Sequence, residues 1–201
     1  PSVPWRRIAS AHDLIVEVAL QGDQLYYRTH KDAPRFKIMR LDLRQPQLAQ
    51  AHLVAVPPAD AVLEDFELTR RAVVATVRQG ASVGLRRYAA ADVNGQQLSP
   101  QGFAAGTAAS VHGDPAHAYD DVLFAQTSWT QWPQEWHWRA GAPRPSGLLR
   151  QTQAAPTQDI EVHDVMVRSH DGVLVPMTVL HKKGLALDGN NSTWLSAYGA
   201  Y

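Results

Sequence analysis

LIVEVALQGDQLYYRTHKDAPRFKIMRLDLRQPQLAQAHLVAV, residues 14–56, reads as four short β-like runs cut by turn signals. Residues 14–19 alternate between apolar and polar, and Gln21-Gly22-Asp23 turns the chain. Residues 24–30 are tyrosine-rich, Ala33-Pro34 breaks the run, and residues 36–43 alternate strictly. Gln45-Pro46 and Pro57-Pro58 then bracket a fourth run at 51–56. Successive side chains of a strand point to opposite faces, so period-two alternation bounded by Gly, Pro and Asp marks half-buried strands.

Outward from this stretch the pattern repeats. Residues 62–68, 72–78 and 84–89 are followed by a short segment after Asn94-Gly95, a pair that favours a hairpin turn. A third, less regular pass runs from about Phe103 through 122–126 and 135–138 and ends near 148–150. Four strands in about 45 residues are the content of one propeller blade, and repeated four-stranded sheets pack radially. The fold expected is therefore mainly β, a partial β-propeller of about three blades drawn from a seven-bladed type of ring.

Between 141 and 158 the composition shifts to GAPRPSGLLRQTQAAPTQ, with Pro143, Pro145 and Pro156. This is extended linker chemistry, and it places a domain boundary near residue 152, dividing the chain into 1–151 and 152–201. Beyond it, residues 160–168 and 173–181 form a hairpin across His170-Asp171-Gly172, where Asp-Gly suits a tight turn. Residues 193–198, rich in Trp and Leu, are expected to be a buried sheet strand. A sheet strand with no return connection implies a piece of a longer chain.

Bulk properties exclude several classes. Hydrophobic residues at 45% and charged residues at 19% describe an ordinary globular chain. Lys plus Arg equals Asp plus Glu at 19 each, so no electrostatic footprint points to nucleic acid or an anionic membrane. No window approaches the roughly 18 unbroken apolar residues of a membrane span. With no cysteine there are no disulfides and no thiolate metal sites. No cofactor is expected.

Several motifs imitate chemistry. Gly80-Ala81-Ser82-Val83-Gly84 has the letters of a nucleophile elbow, but the elbow needs a helix after the serine, and only LRRYAAAD precedes the Asn94-Gly95 turn. A hairpin turn is the better reading. Ser169-His170-Asp171 spells a triad in consecutive letters, whereas a triad needs side chains that converge and neighbours in sequence diverge. His112, Asp114 and His117 offer three metal ligands in what also reads as a surface loop. The tryptophans Trp129, Trp132, Trp136 and Trp138 suit packing between sheets, with ligand stacking as the alternative.

At Ser169 the chain resembles a known family. SHDGVLVPMTVLHKKGLALDG followed by Tyr198-Gly199-Ala200-Tyr201 is similar to the prolyl oligopeptidase family of serine peptidases, at the entry to its catalytic α/β-hydrolase domain. Upstream, Thr29-His30-Lys31-Asp32-Ala33-Pro34, Arg40-Leu41-Asp42-Leu43 and Thr127-Ser128 look like the family's propeller sequence in the same order. The resemblance implies that a propeller caps a hydrolase domain, whose first strands occupy 152–201.

The resemblance also implies roles. Tyr198 stands where the family's tyrosine donates its hydroxyl to the oxyanion hole, and Tyr201 stands where a phenylalanine lines the substrate pocket. A phenol with a pKa of about 10 stays protonated at neutral pH and can donate to a developing oxyanion, and losing one such donor costs about 3–4 kcal/mol of barrier. The nucleophilic serine, its aspartate and its histidine are expected beyond residue 201, leaving this chain inactive alone. Ala200 for glycine and Tyr201 for phenylalanine lean towards the branch that cleaves after basic residues, whereas the HKKG and LDG segments favour cleavage after proline. Expected partners are short peptide substrates, with no nucleic acid and no membrane, for a soluble and monomeric parent, cytoplasmic in preference to periplasmic. The rival reading is a non-catalytic propeller-like binding module. In either case a partial ring leaves sheet faces and edges uncovered, so self-association of the isolated chain is expected.

Overall fold

The structure is a computed structural model that describes residues 5–89, 92–98, 108–112, 116, 119–139, 141–148 and 157–197. Its strands are β1 (Ile15–Gln21), β2 (Gln24–Thr29), β3 (Lys37–Asp42), β4 (His52–Ala55), β5 (Ala61–Leu68), β6 (Ala72–Gln79), β7 (Ser82–Ala89) and β8 (Gln96–Gln97). They continue with β9 (Ala108–His112), β10 (Val122–Thr127), β11 (Gln134–Arg139), β12 (Ala142–Pro145), β13 (Ile160–Arg168) and β14 (Leu174–Lys182). The first twelve make three four-stranded antiparallel meanders, β1 to β4, β5 to β8 and β9 to β12. β13 and β14 form a separate two-stranded sheet. The mainly β architecture and its four-strand period are as the sequence predicts. No α-helix occurs among the described residues, so the hydrolase half of the expectation is not displayed by them.

The meanders stack face to face. β1 lies against β5, and β9 lies across the second sheet, nearest β7 and then β6 and β5. One core between the first two sheets joins Ile38 and Ala55 to Leu63, Phe66, Leu68, Val73, Ala75 and Tyr88. A second core, between the second and third sheets, joins Val74, Leu85 and Leu98 to Val122 and Phe124, with Trp136 and Trp138 packed on it. β6 carries AVVATV, buried at all six positions. Alternation disappears from its sequence because Val73 and Ala75 face one core while Val74 faces the other, and a strand covered on both sides reads as a continuous apolar run.

Polar ties reinforce the stack. Gln21 Nε2 donates to the Thr69 carbonyl at 3.0 Å, tying the first sheet to the β5–β6 turn. From that turn the Arg71 N–H donates to Asp120 Oδ1 at 2.8 Å and the Arg70 N–H to the Tyr119 carbonyl at 2.9 Å, reaching the third sheet's approach to β10. Tyr88 donates its hydroxyl to the Val56 carbonyl at 3.2 Å, and burial pushes the phenol up to about 12. Gly95 turns beneath this ring with φ +63, and a Cβ there would stand 2.6 Å from Tyr88 Cδ1.

Three expectations are corrected. The last described strand of the third meander stops short of residue 148, where the pass is expected to end, and 149 and 150 lie outside the described residues. It is β12 at Ala142–Pro145, inside the stretch whose composition suggests a linker. Among the described residues β12 pairs with β11 alone, and an edge strand tolerates Pro143 and Pro145 because one row of its N–H groups has no ladder partner to serve. The strand expected at 193–198 is also not seen. Residues 193–197 are non-strand and exposed, with Trp194 at 92%. A strand is defined by the neighbour it bonds to, and no described segment lies beside this one. The reading of 36–43 as one alternating run is trimmed at its start, since Phe36 has φ +65 and ends a turn closed by its N–H to the Ala33 carbonyl.

Candidate functional site

Ser82 opens β7 opposite Gln79, directly after the turn at Gly80, which has φ +59. A strand follows it, and its Oγ donates to Asp164 Oδ2 of β13 at 3.0 Å. The elbow letters therefore mark a hairpin. Asp164 also accepts Thr178 Oγ1 at 2.7 Å, so this carboxylate joins β13 to β14 and to the second sheet. Ser169, His170 and Asp171 build the β13–β14 turn. The Ser169 N–H donates to the Val173 carbonyl at 2.8 Å, and Asp171 Oδ1 accepts the Val173 N–H at 3.0 Å. Only Ser169 Oγ and His170 Nδ1 approach each other, at 3.3 Å, and the Asp171 carboxylate is spent on the backbone.

The tryptophans divide. Trp136 and Trp138 lie on β11 opposite Phe124 and Val122 and pack on the second core, and the Arg87 guanidinium stacks 5.0 Å from the Trp138 ring. The inter-sheet reading holds for these two. Trp129 and Trp132 are instead 61% and 52% exposed on the β10–β11 connection. Together with Thr127, Ser128, Thr130, Gln131, Pro133 and Thr157 they line an open depression of about 190 Å³. Thr157 Oγ1 donates to the Thr130 carbonyl at 2.7 Å, fixing the segment that leads into β13 against this rim.

His112 lies on β9 opposite Leu123, whereas Asp114 and His117 fall outside the described residues, as do Tyr198 and Tyr201. Titratable chemistry inside the stack centres on Glu17. Its carboxylate accepts Arg28 Nε at 2.7 Å, and Arg28 NH1 reaches the Leu63 carbonyl at 3.3 Å, crossing from the first sheet to the second. Burial, followed by the adjacent Asp65 carboxyl, pushes Glu17 up to about 7 against the pull of Arg28.

One constellation is not legible in the letters. Glu161 of β13 stands directly opposite His181 of β14, and His163 follows two residues along the same face. Their ligating atoms lie within 4.8 Å of one another, and the two imidazoles stack at 5.2 Å with an 18° tilt. The two histidines stand eighteen positions apart in the sequence, so only the register of the hairpin unites them. A histidine in one strand and an acid-x-His in its partner, folded about an Asp-Gly turn, is the signal that would have found them.

Comparison with known proteins gives the frame. The pattern of the prolyl oligopeptidase N-terminal beta-propeller domain matches residues 2–135. A prolyl endopeptidase of Elizabethkingia meningoseptica is 24% identical over 196 residues, 96% of this chain and 27% of that protein. The solved structure of prolyl oligopeptidase B from Galerina marginata superposes with a TM-score of 0.71 at 20% identity, covering 87% of this chain and 25% of that one. Oligopeptidase B from Leishmania major gives 0.68 at 11% identity, covering 86% and 25%. At these identities the two structures speak for the fold alone, and the chain spans about a quarter of the length of these relatives. A family pattern that covers two-thirds of the sequence, through the first two stacked four-stranded meanders and into the third, is decisive: the chain belongs to the prolyl oligopeptidase family, through its N-terminal β-propeller domain.

Proposed function

We propose that the chain is the propeller-to-hydrolase junction of a serine oligopeptidase that cleaves short peptides after proline by acyl-enzyme chemistry. The observation that carries this reading is the continuity of the match: one prolyl endopeptidase parallels 96% of the chain, through the meanders and into the β13–β14 hairpin. In this reading the propeller unit covers 1–151, and 152–201 begins the catalytic domain with β13 and β14 as its first hairpin. The propeller restricts entry to short chains. A serine outside this sequence attacks the scissile carbonyl, a histidine moves the proton, and Tyr198 donates its hydroxyl to the oxyanion. Tyr201 lines the pocket for the residue before the cut.

The test joins this segment to its downstream sequence and measures turnover of fluorogenic peptides carrying proline or arginine before the cut. Faster cleavage after proline is expected, and Tyr198→Phe is expected to lower kcat by about 10²–10³-fold at constant fold. Unchanged turnover in the variant removes the role of Tyr198, and preference for arginine moves the protein to the oligopeptidase B branch. The 201-residue chain alone is expected to hydrolyse neither substrate.

A further inference from the structure

We infer that Glu161, His163 and His181 form a divalent transition-metal site, best matched to zinc, that clasps β13 to β14. The ligand types are those zinc takes from proteins, two imidazole nitrogens and a carboxylate oxygen. The distances are near what a shared ion requires. Bonds of about 2.0–2.1 Å in a tetrahedral arrangement hold donor atoms about 3.3 Å apart. His163 Nε2 stands 3.6 Å and His181 Nε2 3.7 Å from Glu161 Oε2. The two histidine–carboxylate gaps need a contraction of a few tenths of an ångström, the two imidazole nitrogens, within 4.8 Å of each other, must draw together further, and with three protein ligands the fourth position falls to water.

The protonation pattern points the same way. His181 Nδ1 lies 3.0 Å from the Lys182 carbonyl, and a carbonyl only accepts, so Nδ1 carries the proton. In the neutral ring Nε2 is then the lone-pair nitrogen, the form of histidine that ligates a metal, and it stands 3.7 Å from Glu161 Oε2. A backbone carbonyl that holds the far nitrogen is also the usual support for a metal-bound histidine, since it fixes both tautomer and ring orientation. The site is supported on one side and open on the other. The His181 side chain is 9% exposed, whereas that of His163 is 54% exposed, so an ion can enter without disturbing the sheet.

Zinc chloride titrated calorimetrically into the 201-residue chain at neutral pH provides the test, with magnesium chloride as the control for a merely acidic surface. One saturable equivalent of zinc and no magnesium response is expected. His163→Ala and the isosteric Glu161→Gln should each weaken zinc binding at least tenfold while the circular dichroism spectrum is retained, and cobalt(II) should give the visible bands of a tetrahedral centre that both variants lose. Glu161→Gln keeps the experiment readable should His163→Ala perturb the hairpin. Absence of zinc binding, or binding undiminished in Glu161→Gln, overturns the site and assigns any uptake to the other histidines.

Discussion

The second meander and the β13–β14 hairpin are written in nearly the same letters and meet opposite fates. Both carry strands of eight or nine residues rich in valine and leucine, AVVATVRQ in one and LVPMTVLHK in the other. In the second meander β6 is buried at six consecutive positions. In the hairpin, Val165, Met166, Val167, Val173, Leu174, Val175 and Leu180 are all exposed. Apolar sequence specifies a face to be covered, and a neighbouring sheet is what covers it. The second meander has a sheet on each side, while the hairpin is held by its own ladder, by Ser82 to Asp164 and by Thr157 to Thr130.

The largest effect that sharpens this contrast comes from the second core. Phe124 is fully buried between the second and third sheets, so Phe124→Ala is expected to cost about 3–5 kcal/mol in urea denaturation, the range for a deleted core phenylalanine. A smaller loss would mean that the sheets do not bear on each other through this contact.

A middle-sized effect belongs to Glu17. Its folded pKa of about 7 lies above its ordinary 4.5, so the folded state holds a proton that the unfolded chain has released between these values. The stability it contributes is full below pH 4.5 and is lost as pH rises through 7. Glu17→Gln, which imitates the protonated side chain, should therefore flatten the decline of the melting temperature between pH 5 and 8. An identical pH slope in the variant would show that the carboxyl is not buried between the sheets.

The smallest change in stability should come from the hairpin. Leu174→Ser, on a half-exposed side chain, is expected to leave unfolding within about 0.5 kcal/mol of the parent, because no buried contact is lost. Sedimentation of the isolated chain should nevertheless show less self-association, since an exposed apolar strand is removed as a template. A large destabilisation would show that this face is covered after all.

Much of the fold could be read from local letters. Alternation and turn residues mark β1 to β5 and β7, a continuous apolar run marks β6, and Asp171-Gly172 marks the last hairpin, because turns and pleats act over two to four residues. What could not be read depends on neighbours. The prolines of β12 look like a linker until β11 is seen beside them. The strand expected at 193–198 has the right residues without a described partner, and Trp129 separates from Trp138 only when the sheets are stacked. The constellation of Glu161, His163 and His181 was hidden for the same reason, since register places His181 against Glu161 and no spacing along the chain announces it. Ser82 is set aside because a strand and not a helix follows it, and Ser169 because its backbone closes the β13–β14 turn.

The prolines of β12 also limit what the third meander can become. Two of its four residues have no N–H to offer, so an approaching strand finds an edge that can answer only part of its hydrogen bonds. Growth by adding strands is closed there, and neighbours must join through faces. A sheet that terminates itself in this way holds the third meander at four strands on that edge and leaves stacking as its mode of assembly.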